Sequence, residues 1–276
     1  FRTLDDQGNV SGGPMYYITH GFSGKWQIIA KPLAYFFAFA GVLVAWLGIG
    51  TFSQVNSITS SLQNSFGWSP KIVSVILALI TAAIIFGGIQ SISKVSEKVV
   101  PFMAGLYIIA ALIVIFANFN QLLPVLEMVF QSAFTGKAAV GGFAGATVMA
   151  AMRLGIARGV FSNESGLGSA PIAAAAAKTE EPVEQGLISM TGTFIDTIII
   201  CTLTILVTGQ WSGSLEGAPM TQAAFSSIFG TFGELALTLS LVLFAFTTVL
   251  GWSYYGERCF EFIFKSTKFL SFYRII

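Results

Sequence analysis

Residues 153–179 read RLGIARGVFSNESGLGSAPIAAAAAKT. Two helix-forming stretches here flank a piece of chain that disfavours helix. Upstream, residues 140–157 are small and apolar (GGFAGATVMAAM) and suit a closely packed helix. Downstream, residues 170–177 are almost pure Ala, with Pro171 near the start, where a first-turn proline is tolerated. Between them lie Gly159, Gly166 and Gly168 with Ser162, Asn163, Glu164 and Ser165, which break helices or hydrogen-bond locally in competition with them. Unwound backbone in apolar sequence persists only where it is buried in protein or lines a wet cavity. The stretch predicts a discontinuous membrane helix over residues 139–178, broken at 159–168, with freed amides and carbonyls that can hold substrate and ions. The competing reading is a glycine-rich turn joining two helices, and the rest of the chain decides between them.

Of the 276 residues, 54% are hydrophobic and only 10% charged. Soluble domains carry roughly 25% charged residues, so the chain reads as an all-α integral membrane protein. The net charge of +1 gives no sign of a nucleic-acid partner. One histidine (His20) and two cysteines (Cys201, Cys259) exclude a Cys/His zinc site and a disulfide framework. The chain begins with Phe1 rather than Met and stops at FLSFYRII as a new apolar run starts, which reads as an excerpt cut at both ends.

Residues 1–31 are polar, with GGPMYYI at 12–18 as a turn and aromatic patch expected at the membrane surface. The first span is expected at 32–51, its helix running on to about residue 63. Gly50, Ser53, Gln54, Ser57 and Ser61 form one small, polar stripe on this helix, which faces protein or a cavity rather than lipid. Further spans are expected at 72–92 and 99–117, joined by a linker at 93–98, each near the ~20 residues that cross a bilayer. Residues 118–137 are amphipathic and suit a surface helix. After the broken helix come spans at 186–208 and 232–255, separated by a Gly/Ser-rich loop with a short helix.

In the span at 186–208, Ser189, Gly192, Thr193, Asp196 and Thr197 share a face. An ionisable Asp196 inside an apolar segment is a functional hypothesis by default. Structural hydrogen bonding to a neighbouring helix is preferred for it over ion or proton handling. In the last span Thr248 and Trp252 share a face, with Thr247 and Gly251 on the adjacent ridge. Tyr254 and Tyr255 read as an interfacial aromatic belt. Thr247 and Thr248 instead offer a pair of hydroxyl oxygens suited to Na⁺. Lysines and arginines concentrate in segments 1–31, 93–98, 178–185 and 257–276, which the positive-inside rule places in the cytoplasm. Six crossings satisfy this alternation, the broken helix counting as one.

Four motifs, RGVFSNESGLGSAPIAAAAAKT, GGPMYYI, GIGTFSQVNSI and FTTVLGWSYYGE, closely resemble the alanine or glycine:cation symporter family, the sodium:alanine symporters. The resemblance implies a LeuT-like fold of two inverted five-helix repeats (five plus five), the first helix of each repeat broken at the substrate site. On that scheme the chain is one transmembrane transporter domain, a partial inverted repeat carrying core helices 3 to 8. Helix 6 would be the broken one, while helices 1, 2, 9 and 10 would be absent. Many members have His where this chain has Ala174, so no role of that His carries over.

By the same resemblance, Gln54 would contact the polar end of the amino acid. Phe161, Ser162 and Asn163 would line the unwound part of helix 6, and Trp252 and Thr248 would close the pocket opposite. Thr247 and Thr248 would ligate Na⁺. A wall of Phe161 and Trp252 favours a small side chain, so L-alanine or glycine is the implied substrate. The implied function is Na⁺-coupled symport into the cell by alternating access across the lipid bilayer of the cell membrane, with Na⁺ as coupling ion and no cofactor. No nucleophile–base pair or phosphate loop suggests an enzyme, and Glu164 is expected to cap a half-helix or bond unwound amides. Two alternatives compete: H⁺ coupling through Asp196 or Glu164, and a membrane sensor that binds an amino acid without moving it.

Overall fold

The computed structural model describes residues 1–5, 8–134, 144–179, 181–210 and 217–275. The protein is an all-α membrane protein, with one small hairpin among the described residues. Among the described residues four helical stretches are long and apolar enough to cross a bilayer: Gly24–Phe66, Gly88–Ala117, Pro182–Thr208 and Thr231–Phe264. Pro70–Ile85 is a shorter apolar helix. The chain divides into two compact units, Phe1–Ala104 with Gly168–Gln185 and Thr238–Ile276, and Gly105–Leu167 with Gly186–Leu237.

The first unit opens with a hairpin of β1 (Thr3–Leu4) and β2 (Val10–Ser11), paired antiparallel with Thr3 opposite Ser11. Helices α1 (Pro14–Gly21), α2 (Gln27–Leu47), α3 (Phe52–Phe66) and α4 (Pro70–Ile85) follow. On α2, Ala30, Ala34, Ala38, Val42 and Ala45 are buried, a ridge at near four-residue spacing. The ridge packs on α12 (Thr231–Phe264) through small residues. A Cβ on Gly41 would stand 2.7 Å from Cys259 Sγ, and one on Gly256 would stand 2.6 Å from Ala45 Cβ. Small side chains are what let membrane helices approach this closely. Other positions of α2 leave Ile28, Leu33, Phe36, Phe39, Leu43 and Leu47 exposed, an apolar surface that suits lipid.

Three expectations need correction in this unit. Helix does not run unbroken from 32 to 63: α2 stops at Leu47 and α3 starts at Phe52. The sequence GIGT places Gly48 and Gly50 two residues apart, and each glycine costs roughly 1 kcal/mol against alanine in a helix. The GGPMYYI segment is not a surface patch at its start, because Gly12, Gly13, Pro14 and Met15 are buried. A Cβ on Gly13 would meet Ile172 at 2.6 Å, and one on Gly12 would meet Ala175 at 2.5 Å, so this turn is packed against protein. The linker expected at 93–98 is helical, inside α5 (Gly88–Ala117). Nothing in Ser-Lys-Val-Ser-Glu-Lys breaks a helix, and the chain turns earlier, where Gly88 takes φ +67°.

The second unit holds α6 (Leu122–Phe134) and α7 (Ala144–Ser162), with 105–117 of α5. After α8 (Ala170–Ala174), which belongs to the first unit, come α9 (Pro182–Thr193), α10 (Thr202–Thr208) and α11 (Ala218–Phe229). A π-helical turn, Phe194–Cys201, joins α9 to α10. Tyr107 and Thr204 share a hydrogen bond of 2.5 Å between hydroxyls, and Asn118 Nδ2 donates to Gln210 Oε1 at 3.1 Å. The amphipathic segment does form a helix in α6, with its expected end at 135–137 outside the described residues. The short helix expected in the 210–230 loop is α11.

Candidate functional site

The candidate residues fall into both units. The stretch expected to be a discontinuous helix contains α7, a non-helical stretch at 163–169 and α8. Residues 139–143 of the expected broken helix lie outside the described residues. The interruption starts later than expected. Gly159 is accommodated within α7, and Phe161 and Ser162 sit in its last turn, so of the three only Asn163 stands on unwound chain. The break is set by Asn163, whose Oδ1 accepts the Ser165 amide at 2.9 Å, an Asx turn. Gly166 at φ +114° and Gly168 at φ +77° then take conformations that L side chains avoid.

Glu164 sits at φ +57°, a left-handed conformation that non-glycine residues adopt rarely. Its backbone N–H donates to Phe161 O at 3.4 Å, and its carbonyl accepts from Leu167 N–H at 3.3 Å. The end of α7 is thus closed through the Glu164 backbone.

The same break is held by the face read from sequence on the span at 186–208. Ser162 Oγ donates to Asp196 Oδ2 at 2.7 Å, and Asn163 Nδ2 donates to Thr197 Oγ1 at 3.0 Å. A longer contact of 3.4 Å joins the Ser165 and Thr193 hydroxyls. Asp196 and Thr197 belong to the π-helical turn, where successive side chains diverge less than on an α-helix. Both can therefore address the consecutive Ser162 and Asn163. The structural reading of Asp196, hydrogen bonding to a neighbouring helix, has a partner; the π turn had no motif, only the crowded β-branched run of IDTIII.

In the first unit Gln54, on the first turn of α3, turns back along the chain. Its Nε2 donates to Ile49 O at 3.3 Å, and Thr51 Oγ1 donates to Ala45 O at 2.6 Å. These bonds satisfy carbonyls freed by the interruption at 48–51. Trp252 is buried, 5% exposed, against Gly50. The Thr247 and Thr248 hydroxyls both donate to Phe244 O at 3.0 Å, back-bonding along α12 that leaves their oxygen lone pairs as acceptors. Tyr254 is not part of an aromatic belt: it is 3% exposed, inside protein.

One polar cluster carried no sequence motif. The segment 257–276, assigned to the cytoplasmic side by its basic residues, starts inside α12, which continues to Phe264. Arg258 contacts Asp5 at 3.2 Å, Glu257 at 2.8 Å and Glu261 at 2.6 Å, with all four side chains 7% exposed or less. Ser11 Oγ donates to Glu261 Oε1 at 3.0 Å, and Arg274 donates twice to Glu257, at 2.7 and 2.8 Å. The cluster ties the hairpin and α13 (Leu270–Ile275) to the end of α12. Beside it, burial and then the Glu261 carboxylate raise the pKa of the Tyr16 phenol above its ordinary value. Only the alternation of carboxylates and arginine in GERCFEF could have hinted at it.

Comparison with known proteins gives this arrangement a context. The family model described as the sodium:alanine symporter family matches residues 1–276. The chain is 50% identical over 268 residues to an uncharacterized transporter of Haemophilus influenzae, covering 95% of this chain and 58% of that protein. It is 46% identical over 284 residues to the sodium/alanine symporter AgcS of Methanococcus maripaludis, covering 100% of this chain and 60% of AgcS. It is 39% identical to the probable sodium/glutamine symporter GlnT of Bacillus subtilis, over 99% of this chain and 55% of that protein. The chain therefore spans little more than half the length of these relatives. It belongs to the sodium:alanine symporter family.

Proposed function

We propose that the full-length protein is a Na⁺-coupled symporter that carries alanine or glycine into the cell by alternating access. The observation that carries this reading is the interruption at 163–169, an unwound segment in a membrane chain of this family, with Asn163 on it. Substrate contacts are assigned to Asn163 with the neighbouring Phe161 and Ser162, and to Gln54, Thr248 and Trp252. Thr247 and Thr248 contribute hydroxyl oxygens to Na⁺, and carbonyls from the rest of the protein complete its shell. The bulk of Phe161 and Trp252 favours a small side chain. The fold proposed is the five-plus-five inverted repeat in a multi-pass cell-membrane protein, with segments 1–31, 178–185 and 257–276 and the helical lysines Lys94 and Lys98 on the cytoplasmic side.

Coupling follows from charge. Each Na⁺ entering down the membrane potential releases about 2.3 kcal/mol per 100 mV, and a zwitterionic substrate adds no net charge. Uptake is therefore electrogenic. The test is radiolabelled alanine uptake into proteoliposomes holding the full-length protein, with and without an inward Na⁺ gradient. Accumulation above equilibrium only with Na⁺ supports the symport. Accumulation driven by a pH jump without Na⁺ replaces the ion with H⁺, and ligand-induced thermal stabilisation without counterflow leaves a binding protein.

A further inference from the structure

We propose that Asp196 is a positioning residue for the transport site, holding the break through Ser162 without itself touching substrate. The inference rests on the reading that residues 161–163 line the pocket. It starts from a pattern of paired contacts. Two consecutive residues, Ser162 at the end of α7 and Asn163 just beyond it, are each bonded by one of two consecutive residues of the π-helical turn, Asp196 and Thr197. Asn163 is used at both ends of its amide: Nδ2 donates to Thr197, while Oδ1 accepts the Ser165 amide. The orientation of Asn163 is fixed by this pair of bonds, so the turn at 163–165 and the seat on the π turn are coupled.

The Ser162 bond is the shorter of the two, 2.7 Å against 3.0 Å. Ser162 precedes the unwound stretch, so releasing it frees the last turn of α7 to continue as helix or to fray. The positive-φ residues downstream, Glu164, Gly166 and Gly168, do not hold a single conformation by propensity alone. Asp196 thus sets the position from which Asn163 is presented. The role needs an acceptor oxygen at residue 196 and not its charge.

The test compares D196N, D196A, S162A and the double variant S162A/D196A in the full-length protein. D196N keeps an acceptor oxygen for Ser162, whereas D196A does not. D196A and S162A are expected to raise the KM for alanine about tenfold with Vmax within about twofold, and D196N to recover most of the loss. The double variant is expected to match the worse single variant, since both remove one bond. Hydrogen exchange of the Ser165 and Leu167 amides is expected to quicken about tenfold in D196A and S162A but not in D196N. Unchanged exchange in D196A overturns the inference. So does a D196N defect as deep as D196A with altered Na⁺ dependence, which assigns the charge to the ion. Faster exchange with an unmoved KM also overturns it, because the contact then does not position the site. If the wild type takes up no alanine under a Na⁺ gradient, the symport reading fails instead, and the exchange comparison alone decides whether Asp196 holds the break.

Discussion

Gly50 lies against the indole of Trp252 so closely that a Cβ added there would stand 2.5 Å from Cγ and 2.8 Å from Cδ2. The contact joins two features seen separately in the sequence, the polar stripe that begins at Gly50 and the helix face that carries Thr248 and Trp252. It also places the indole beside the interruption at 48–51, where Gln54 bonds the Ile49 carbonyl. Gly50→Ala must displace a rigid, buried ring or bend the backbone. Overpacking of this kind costs about 1–3 kcal/mol. G50A is expected to unfold at lower temperature in detergent and to lose alanine uptake, and G50A/W252F to regain part of the stability. A G50A protein as stable as wild type would contradict the packing.

Arg258 stands among three carboxylates, with Arg274 completing the cluster. Removing one partner of a buried ion pair leaves an uncompensated charge, at roughly 3–5 kcal/mol. Arg258→Ala is therefore expected to be among the most destabilising single changes in the protein. Arg258→Lys keeps the charge but not the planar fork that reaches Asp5 and Glu257 together, and should fall between. The apolar triple variant D5L/R258M/E261L is expected to lose less stability than R258A, because it leaves fewer unpaired charges. Thermal unfolding of the purified protein orders the three. An R258A midpoint equal to that of R258K would rule out charge pairing as the main contribution.

Tyr254 makes the opposite prediction. Its hydroxyl is buried with no hydrogen-bond partner among the described residues, while the Arg258 guanidinium lies 5.6 Å from the ring centre. Removing an unsatisfied buried hydroxyl while keeping the ring can stabilise, since such a group costs about 1–3 kcal/mol. Tyr254→Phe is expected to leave stability equal or higher and uptake near wild type. Gln54→Ala and Asn163→Ala are expected to cut uptake at least tenfold in the same assay. Equal losses from all three would argue against the pocket as drawn.

What could be read beforehand followed the physics of each region. Apolar runs longer than a membrane is thick announce helices, and residues such as Asp196 announce themselves by rarity in them. The break near Asn163 was legible because glycines and local hydrogen-bonders interrupt a helix-forming stretch. Its start was placed too early because a single glycine costs a helix only about 1 kcal/mol, too little for Gly159 alone to end α7. The interruption at 48–51 was missed because its compensating bonds, Gln54 to Ile49 and Thr51 to Ala45, exist only once the chain has folded back. The Arg258 cluster joins residues about 250 apart in sequence, and no local pattern can show that pairing.

Thr247 and Thr248 provide the test of the proposed ion site, and their surroundings rank them. Both donate to Phe244 O, so valine at either position loses one intrahelical bond and little else of shape. Thr247 Oγ1 also lies 3.9 Å from Met103 Sδ. Na⁺ is a hard cation that selects oxygen, and a thioether beside a ligand is a poor neighbour for it. Thr248 should therefore be the stronger ligand of the pair. Thr248→Val is expected to raise the Na⁺ concentration for half-maximal alanine uptake about tenfold, Thr247→Val less, and Thr248→Ser to restore it. Folding should hold in all three, since no buried donor is left unpaired. The Na⁺ dependence of uptake at saturating alanine decides the matter. If T248V shifts the alanine KM and leaves the Na⁺ dependence alone, the hydroxyl serves the substrate. If neither valine moves the Na⁺ dependence, the ion is held by other oxygens and the pair merely caps its own helix.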